Sequence, residues 1–179
     1  MSGLPGDIAW REQVELSWHD SRVREATARD VPALVRLINV AYRVEEFFIE
    51  GDRTHDAEIR GLLVSDCFLV VDGDPASGEG TGLAGAIYIS IEGVRGYFGM
   101  LAVDPARQGN GLGRALVVAA EDFCRRRGCR WLDLSVVDLR TELRPFYDKL
   151  GYKEFGVAPF PDPNKLTRPA QLIRMTKVL

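Results

Sequence analysis

The fold of this chain is decided by residues 97–116, which read YFGMLAVDPARQGNGLGRAL. The apolar run that ends at Val103 predicts a buried strand, and the glycines from Gly109 to Gly113 predict a tight turn into a helix. Glycines let backbone N–H groups face outward, and the first helical turn adds unpaired donors at the positive end of the helix dipole. The stretch therefore predicts a binding site for phosphate groups.

Three kinds of phosphate-binding loop are separated by their spacing. The P-loop places Lys directly after its last glycine, and no Lys follows any of these glycines, so that loop is excluded. The dinucleotide fingerprint G-x-G-x-x-G fails at its third glycine, where Arg114 stands, so that interpretation is weak. The hexapeptide QGNGLG at residues 108–113 fits a third pattern, Q/R-x-x-G-x-G/A.

This third pattern resembles the motif of the GNAT superfamily of N-acetyltransferases. The motif follows an apolar strand, as it does in that family, and residues 138–152, which end in FYDKLGY, resemble the family's next segment. The resemblance covers residues 23–179. It implies an α/β fold in which a central, splayed mixed sheet is flanked by helices, and the order of predicted strands and helices also favours a mixed sheet.

The resemblance implies acetyl-CoA as the co-substrate. N–H groups of the Gly-rich turn, aided by an arginine side chain, would bind its diphosphate through charge-assisted hydrogen bonds. The backbone of the preceding strand would pair with the pantetheine amides, as an added strand would. The residues implied to hold the cofactor are Leu101, Ala102, Val103, Arg107, Gln108, Gly109, Asn110, Gly111, Leu112, Gly113 and Arg114.

Tyr147 holds the position of the tyrosine that serves as general acid in many family members. A phenol with a pKa near 10 can protonate a departing thiolate without ionising at neutral pH. The alternative is a tyrosine that only packs a short helix on the sheet. Many family members carry an asparagine seven residues earlier, where this chain has Arg140. That departure puts the hydrogen bonds on this side of the cofactor in doubt.

The general base is harder to place, because both histidines lie far from the motif in sequence. Family members that use a strand carboxylate carry it near Tyr97, which is not acidic. Glu46 is the candidate catalytic base, with Glu92 as a second candidate, and either could be a solvated surface residue. Tyr42 and the apolar pair at residues 47–48 lie where the resembling family builds its acceptor pocket, and the alternative is that they pack in the core.

The composition indicates one ordinary globular domain of 179 residues, with 46% hydrophobic and 27% charged residues. Residues 1–21 are predicted to form an N-terminal extension, and residues 22–179 a single GNAT domain. A net charge of −3 gives no general attraction to nucleic acid or to an anionic membrane. No membrane span, signal peptide or metal site is expected, and three cysteines without metal spacing favour a reduced, cytoplasmic protein.

The sequence predicts seven strands and four helices. The predicted strands are residues 23–27, 67–71, 83–91, 97–103, 131–137, 152–157 and 171–178, and the helices begin near residues 30, 54, 112 and 145. Residues 72–81 are expected to form an exposed connection.

The predicted function is acetyl transfer from acetyl-CoA to a primary amine of a small molecule or peptide by direct attack. A homodimer is compatible with the sequence. Two alternatives stay open. One is a catalytically silent GNAT-fold module that binds acyl-CoA, and the other is a nicotinamide-dependent oxidoreductase in which Asp133 stands at the spacing of a ribose-binding acid.

Overall fold

The computed structural model describes residues 23–73 and 82–179. The predicted N-terminal extension and residues 74–81 of the connection expected at residues 72–81 lie outside the described residues. Within them, seven strands form one sheet. The strands are β1 (Val23–Glu25), β2 (Cys67–Asp72), β3 (Leu83–Glu92), β4 (Arg95–Val103), β5 (Trp131–Val137), β6 (Lys153–Pro159) and β7 (Gln171–Val178).

The sheet has the order β1-β2-β3-β4-β5-β7-β6, which confirms the predicted mixed sheet. Neighbouring strands are antiparallel except for β4 and β5, which run parallel. Parallel neighbours need a crossover connection, and the helix that follows the Gly-rich turn supplies it. The turn therefore sits at the carboxyl end of β4, where the chain leaves the sheet.

In the described part of the chain, four α-helices cover the sheet: α1 (Val31–Tyr42), α2 (Asp56–Ser65), α3 (Leu112–Arg126) and α4 (Leu143–Lys149). The last helix begins two residues before Pro145, the predicted start. A proline is tolerated there because the first four N–H groups of a helix have no acceptor within it. The remaining helix positions agree with the apolar periodicity of the sequence.

Two hydrophobic cores lie on opposite faces of the sheet. Side chains of α1 and α2, such as Leu34, Leu37 and Ile59, pack on one face. Leu116 and Phe123 of α3 pack on the other face, together with residues of α4. Side chains alternate between these cores along a strand because neighbouring residues of a strand point to opposite faces.

The two central strands separate beyond their first three residues. Backbone pairing between β4 and β5 begins at Arg95 and ends where Tyr97 lies opposite Asp133. Further along β4, Met100 and Leu101 together lie opposite one residue of β3, and Met100 has a φ of 45°. Such a bulge bends and twists a strand. The sheet is therefore splayed open beside β4, as the resemblance implied.

Candidate functional site

A cavity of about 1160 Å³ occupies the gap between β4 and β5. One wall comes from the second half of β4 and the Gly-rich turn, and the opposite wall comes from the end of β5 and from α4. A third side is closed by residues 40–45 at the end of α1. The splay of the sheet thus creates the space in which a ligand would lie.

The Gly-rich turn opens onto this cavity. Gly109 and Gly111 have φ angles of 84° and 79°, a left-handed conformation that strongly favours glycine. Gly111 is the residue before α3, and the first backbone bond of the helix runs from the Ala115 N–H to the Gly111 carbonyl. The first N–H groups of a helix have no acceptor within the helix. In the described part of the chain, no loop or turn carbonyl accepts a hydrogen bond from the N–H groups of residues 109–113. These groups can therefore donate to a bound anion.

Nine of the eleven residues implied to hold the cofactor line the cavity: Leu101, Val103, Arg107, Gln108, Gly109, Gly111, Leu112, Gly113 and Arg114. The other two do not. Ala102 is 1% exposed and packs in the core beneath α1, because it points to the opposite face from its strand neighbours. Asn110 is exposed at the tip of the turn.

The backbone of Val103 faces the gap. The Asp104 N–H donates to the Ala84 carbonyl at 2.9 Å, and polar groups of alternate residues in an antiparallel pair point to opposite edges of the strand. The carbonyl of Val103 accepts a hydrogen bond from the Gln108 side chain at 3.4 Å, which agrees with this direction. Among the described strands, none pairs with this edge at the end of β4, because pairing with β5 ends at Tyr97.

Tyr147 lies in α4 on the opposite wall of the cavity and is 5% exposed. Its ring packs against Phe98, Phe146 and Tyr152, with ring centroids 5.8, 4.9 and 6.0 Å away. The hydroxyl makes no hydrogen bond to any residue of the described ranges. Every fully buried side-chain N or O in those ranges has a partner, so this hydroxyl is not fully buried. The hydroxyl therefore reaches the open space of the cavity, while the ring is fixed by packing.

Burial raises the pKa of Tyr147, and the nearby hydroxyls of Tyr42 and Tyr97 add to this effect. The phenol is therefore protonated throughout the neutral range. A thiolate released into the same desolvated space would also have a raised pKa. Because the pKa of the phenol and the pKa of the thiol both rise, the difference between them changes less than either value. Burial therefore does not prevent proton transfer from the hydroxyl to sulfur.

The structure places the carboxylates near α1 differently from the prediction. Glu46 is exposed and does not line the cavity, whereas Glu45 lines it and is 8% exposed. Glu45 lies in a single 3₁₀ turn, Arg43–Glu45, and the Phe48 N–H donates to its carbonyl at 3.0 Å. Side chains three residues apart share one side of such a turn, so Glu45 points inward and its neighbour outward. Glu92 is also exposed and outside the cavity.

Arg140 joins Glu45 across the cavity wall. Its guanidinium donates to Glu45 at 3.3 Å and to Glu142 at 2.5 Å, and the Arg140 side chain is 16% exposed. Burial raises the pKa of Glu45, and the positive charges of Arg140 and Arg53 partly offset this rise. The residue that departs from the family's asparagine is therefore part of a partly buried ion pair.

The aromatic residues near α1 divide between cavity and core. Tyr42 lines the cavity, and the guanidinium of Arg53 lies 5.2 Å from the centre of its ring. Burial raises the pKa of Tyr42 to about 12. Phe48 is fully buried and Phe47 is 45% exposed, and neither lines the cavity. Phe48 therefore packs in the core, Phe47 lies half exposed at the surface, and neither side chain forms the pocket.

A sequence model of the acetyltransferase (GNAT) family matches residues 31–152, more than half of the chain. The chain belongs to the GNAT family. The match includes the Gly-rich turn and Tyr147, and the splayed sheet shows the fold that the resemblance implied.

The GNAT relatives include mycothiol acetyltransferases. The Beutenbergia cavernae protein is 31% identical over 146 residues, which are 82% of this chain and 37% of that protein. The Acidothermus cellulolyticus protein is 31% identical over 121 residues, which are 64% of this chain and 34% of that protein. The chain thus spans about a third of the length of the curated relatives it matches.

Solved GNAT structures share the fold. The ribosomal-protein-S18-alanine N-acetyltransferase from Escherichia coli superposes with a TM-score of 0.71 at 18% identity, over 88% of this chain and 93% of that chain. The yncA protein from Salmonella typhimurium, solved with its cofactor acetyl-CoA, superposes with a TM-score of 0.65 at 24% identity, over 89% and 94% of the two chains.

The GNAT fold leaves Asp133 outside the cavity. Its carboxylate accepts hydrogen bonds from Arg95 at 2.8 and 2.9 Å and from the Thr176 hydroxyl at 2.5 Å. It lies near the start of β5, whereas ligands of open α/β sheets bind beyond the carboxyl ends of the strands. This position argues against the dinucleotide-binding alternative.

Across residues 23–73 and 82–179, no helix combines the length and the apolar character that crossing a membrane requires. In the same ranges, no group of three or more His, Cys, Asp or Glu side chains is arranged to hold a metal ion.

Proposed function

We propose that this GNAT chain transfers an acetyl group from acetyl-CoA to a primary amine of a small molecule or peptide. The observation that carries the proposal is the facing pair of features across one cavity. A helix start with free N–H groups lies on one wall, and the hydroxyl of Tyr147 opens from the other. Acyl transfer needs both an anion site and a proton donor.

The Gly-rich turn is proposed to hold the diphosphate of acetyl-CoA. The N–H groups of residues 109–113 and the positive end of the α3 dipole supply favourable contacts for an anion. Arg107 and Arg114 line the same part of the cavity and would add charge-assisted hydrogen bonds. The acetyl-CoA found in the yncA structure supports this choice of ligand.

The pantetheine arm is proposed to lie along the open edge of β4. The backbone groups of Val103 face the gap, and Leu101 lines it. The amides of an extended chain could pair with this edge as an added strand would. That position directs the thioester toward the end of the cavity that holds Tyr147.

Direct attack by the amine is proposed, with Tyr147 protonating the departing sulfur. The three cysteines are free thiols that do not line the cavity, which supports a mechanism without a thioester on the enzyme. Reduced cysteines also support the proposed cytoplasmic setting. Burial raises the pKa of Cys67 to about 11 and of Cys124 to about 12, so neither is an activated nucleophile.

An acetyl-CoA turnover assay tests the function. Release of free thiol would be followed across polyamines, amino acids, aminoglycosides and peptides with free N-termini, and mass spectrometry would identify the acetylated product. We expect turnover with at least one class of amine. Tight binding of coenzyme A without turnover on any amine would instead support the silent acyl-CoA-binding module.

A further inference from the structure

Among the described residues, the cavity contains one carboxylate that is well shielded from bulk solvent. Three glutamates of residues 23–73 and 82–179 line it. The Glu142 side chain is 60% exposed, and Glu58 accepts a hydrogen bond from the Thr54 hydroxyl at 2.8 Å beside the start of α2. The Glu45 side chain is only 10% exposed. Glu45 is therefore the carboxylate whose charge a ligand in the cavity would feel most strongly.

One oxygen of Glu45 is held and the other is free. Oε1 accepts the hydrogen bond from Arg140 at 3.3 Å, whereas Oε2 has no hydrogen-bond donor among the described residues. Every fully buried side-chain N or O in the described ranges has a partner, so Oε2 is not fully buried, and Glu45 lines the cavity. The hydroxyl of Tyr147 likewise has no hydrogen-bond partner among the described residues, and Tyr147 lines the same cavity. An unoccupied acceptor and a donor therefore face one space.

Arg140 contacts Glu45 and lies in the chain segment that leads to Tyr147. This segment runs between β5 and α4, and the Arg140 side chain is 16% exposed. A carboxylate that bonds a partly buried guanidinium is fixed in direction. The ion pair thus ties the end of α1 to the segment that carries Tyr147.

We propose that Glu45 is the carboxylate that binds the ammonium group of the acceptor and removes one of its protons. Arg140 is a positioning residue that keeps this carboxylate directed into the cavity. This role rests on the proposed acetyl transfer and adds the base that the reaction needs. The preferred acceptors are then amines that reach the site as ammonium ions.

The protons balance in this scheme. The ammonium gives one proton to Glu45 Oε2, and the neutral nitrogen attacks the thioester carbonyl carbon. The C–S bond breaks, the sulfur takes the proton of Tyr147, and the phenolate takes the second proton that the nitrogen loses. The products are the amide, free thiol and one proton, which Glu45 releases to solvent.

The charges around Glu45 suit a base. Burial raises its pKa, Glu142 raises it further, and Arg140 and Arg53 lower it. The hydroxyl of Tyr42 also interacts with this carboxylate, and burial raises the pKa of Tyr42 to about 12, so it stays neutral. A carboxylate whose pKa lies above its ordinary value accepts a proton more readily than a surface carboxylate.

The test compares the pH dependence of kcat/KM in four proteins, with the best amine from the turnover assay. These are the wild type, Glu45→Gln, Glu46→Gln and the exposed control Glu50→Gln. We expect Glu45→Gln to lower kcat/KM about 10²- to 10⁴-fold at neutral pH. The variant should also lose the fall in kcat/KM that the wild type shows at low pH, where Glu45 becomes protonated. Acetyl-CoA affinity and melting temperature should stay close to wild type, because glutamine keeps an oxygen for Arg140. The control should stay within about twofold.

Two further measurements separate a base from a structural partner. A weakly basic analogue of the same amine arrives already neutral, so the defect of Glu45→Gln should shrink to less than about tenfold. Arg140→Gln should move the acid-side decline to higher pH, because loss of the cation raises the pKa of Glu45. Arg140→Lys should restore much of the original profile.

Different results overturn different parts of the scheme. If the wild type acetylates amines and Glu45→Gln keeps the decline of kcat/KM at low pH, only the role of Glu45 is overturned. Loss of that decline in Glu46→Gln gives the role to the exposed neighbour. A wild type that acetylates no amine overturns the proposed function, and the role of Glu45 with it.

Discussion

Gly85 of β3 lies so close to Leu116 of α3 that a β-carbon at residue 85 would stand 2.8 Å from Leu116 Cδ1. The same β-carbon would lie 3.3 Å from Leu112 Cδ2, and Leu116 is fully buried. The helix can move away only by losing its packing on the sheet. A side chain at residue 85 would therefore press on the first turns of α3, which follow the Gly-rich turn.

We therefore expect Gly85→Ala to lower the free energy of unfolding by about 1 to 3 kcal/mol, through overpacking. Urea unfolding would measure the change. Gly156→Ala is the matched control in another strand, because a β-carbon there meets no atom within 4 Å. Adding Leu116→Ala should make the double variant less destabilised than the sum of the single changes. An additive result would show that the contact does not hold the helix.

Gly111→Val should weaken coenzyme A binding at least about tenfold, on the order of 1.4 kcal/mol. The φ of 79° at Gly111 is strained for valine, and the new side chain would block the approach of the diphosphate. Isothermal calorimetry measures the affinity. Gly128→Val is the control at the other end of α3, because Gly128 has a φ of 82° and lies outside the cavity. Equal losses of affinity in both variants would exclude a local effect.

Tyr147→Phe should lower kcat about 10²- to 10⁴-fold while acetyl-CoA affinity and stability stay near wild type. The ring contacts survive, and only the hydroxyl in the cavity is lost. Tyr152→Phe is the opposite control, because its hydroxyl donates to Glu121 at 3.0 Å outside the cavity. That variant should lose about 1 to 2 kcal/mol of stability and keep its kcat. A kcat within about twofold of wild type in Tyr147→Phe, with chemistry limiting turnover, would make this residue a packing residue.

Asp30 should stabilise the fold only while it is ionised. Two hydrogen bonds from Arg24, at 2.8 and 2.9 Å, lower the pKa of Asp30 to about 2. Because the folded-state pKa is below the unfolded value near 4, this stabilisation is complete above about pH 4 and disappears as the pH falls through 2.

Asp30→Asn should therefore cost about 1 to 2 kcal/mol at pH 7, and the difference from wild type should shrink between about pH 4 and 3. Urea unfolding at several pH values measures this. Asp72→Asn removes a second, 53% exposed partner of Arg24 and should change stability by less than about 0.5 kcal/mol. A cost for Asp30→Asn that stays constant with pH would rule out the ion pair as its cause.

Most of the fold could be predicted from the sequence, because the relevant signals are local. The strand at Trp131–Val137 and the start of α3 at Leu112 agree with the predicted bounds. Apolar periodicity and glycine positions determine such elements without long-range information. The separation of β4 from β5 depends instead on a bulge at Met100. No residue preference marks that bulge, so the family resemblance was needed to expect it.

The side of the cavity that carries Glu45 was less predictable. Glu45 and Glu46 are neighbouring residues of the same type, and only the short 3₁₀ turn after α1 determines which of them faces the cavity. The spacing of Tyr42, Glu45 and Phe48 by three residues was the available signal. The partner of Glu45 is 95 residues away in the chain, so the ion pair with Arg140 could be found only from the folded structure.

The open edge of β4 also bears on aggregation. Unpaired strand edges recruit strands of other proteins, and most folds cover them or place charges on them. Here the edge at Val103 is recessed between two walls. The end of β5 and helix α4 form the wall opposite this edge and shield it from a strand that approaches from outside. The separation of β4 from β5 that opens the cavity therefore also keeps this edge away from the strands of other proteins.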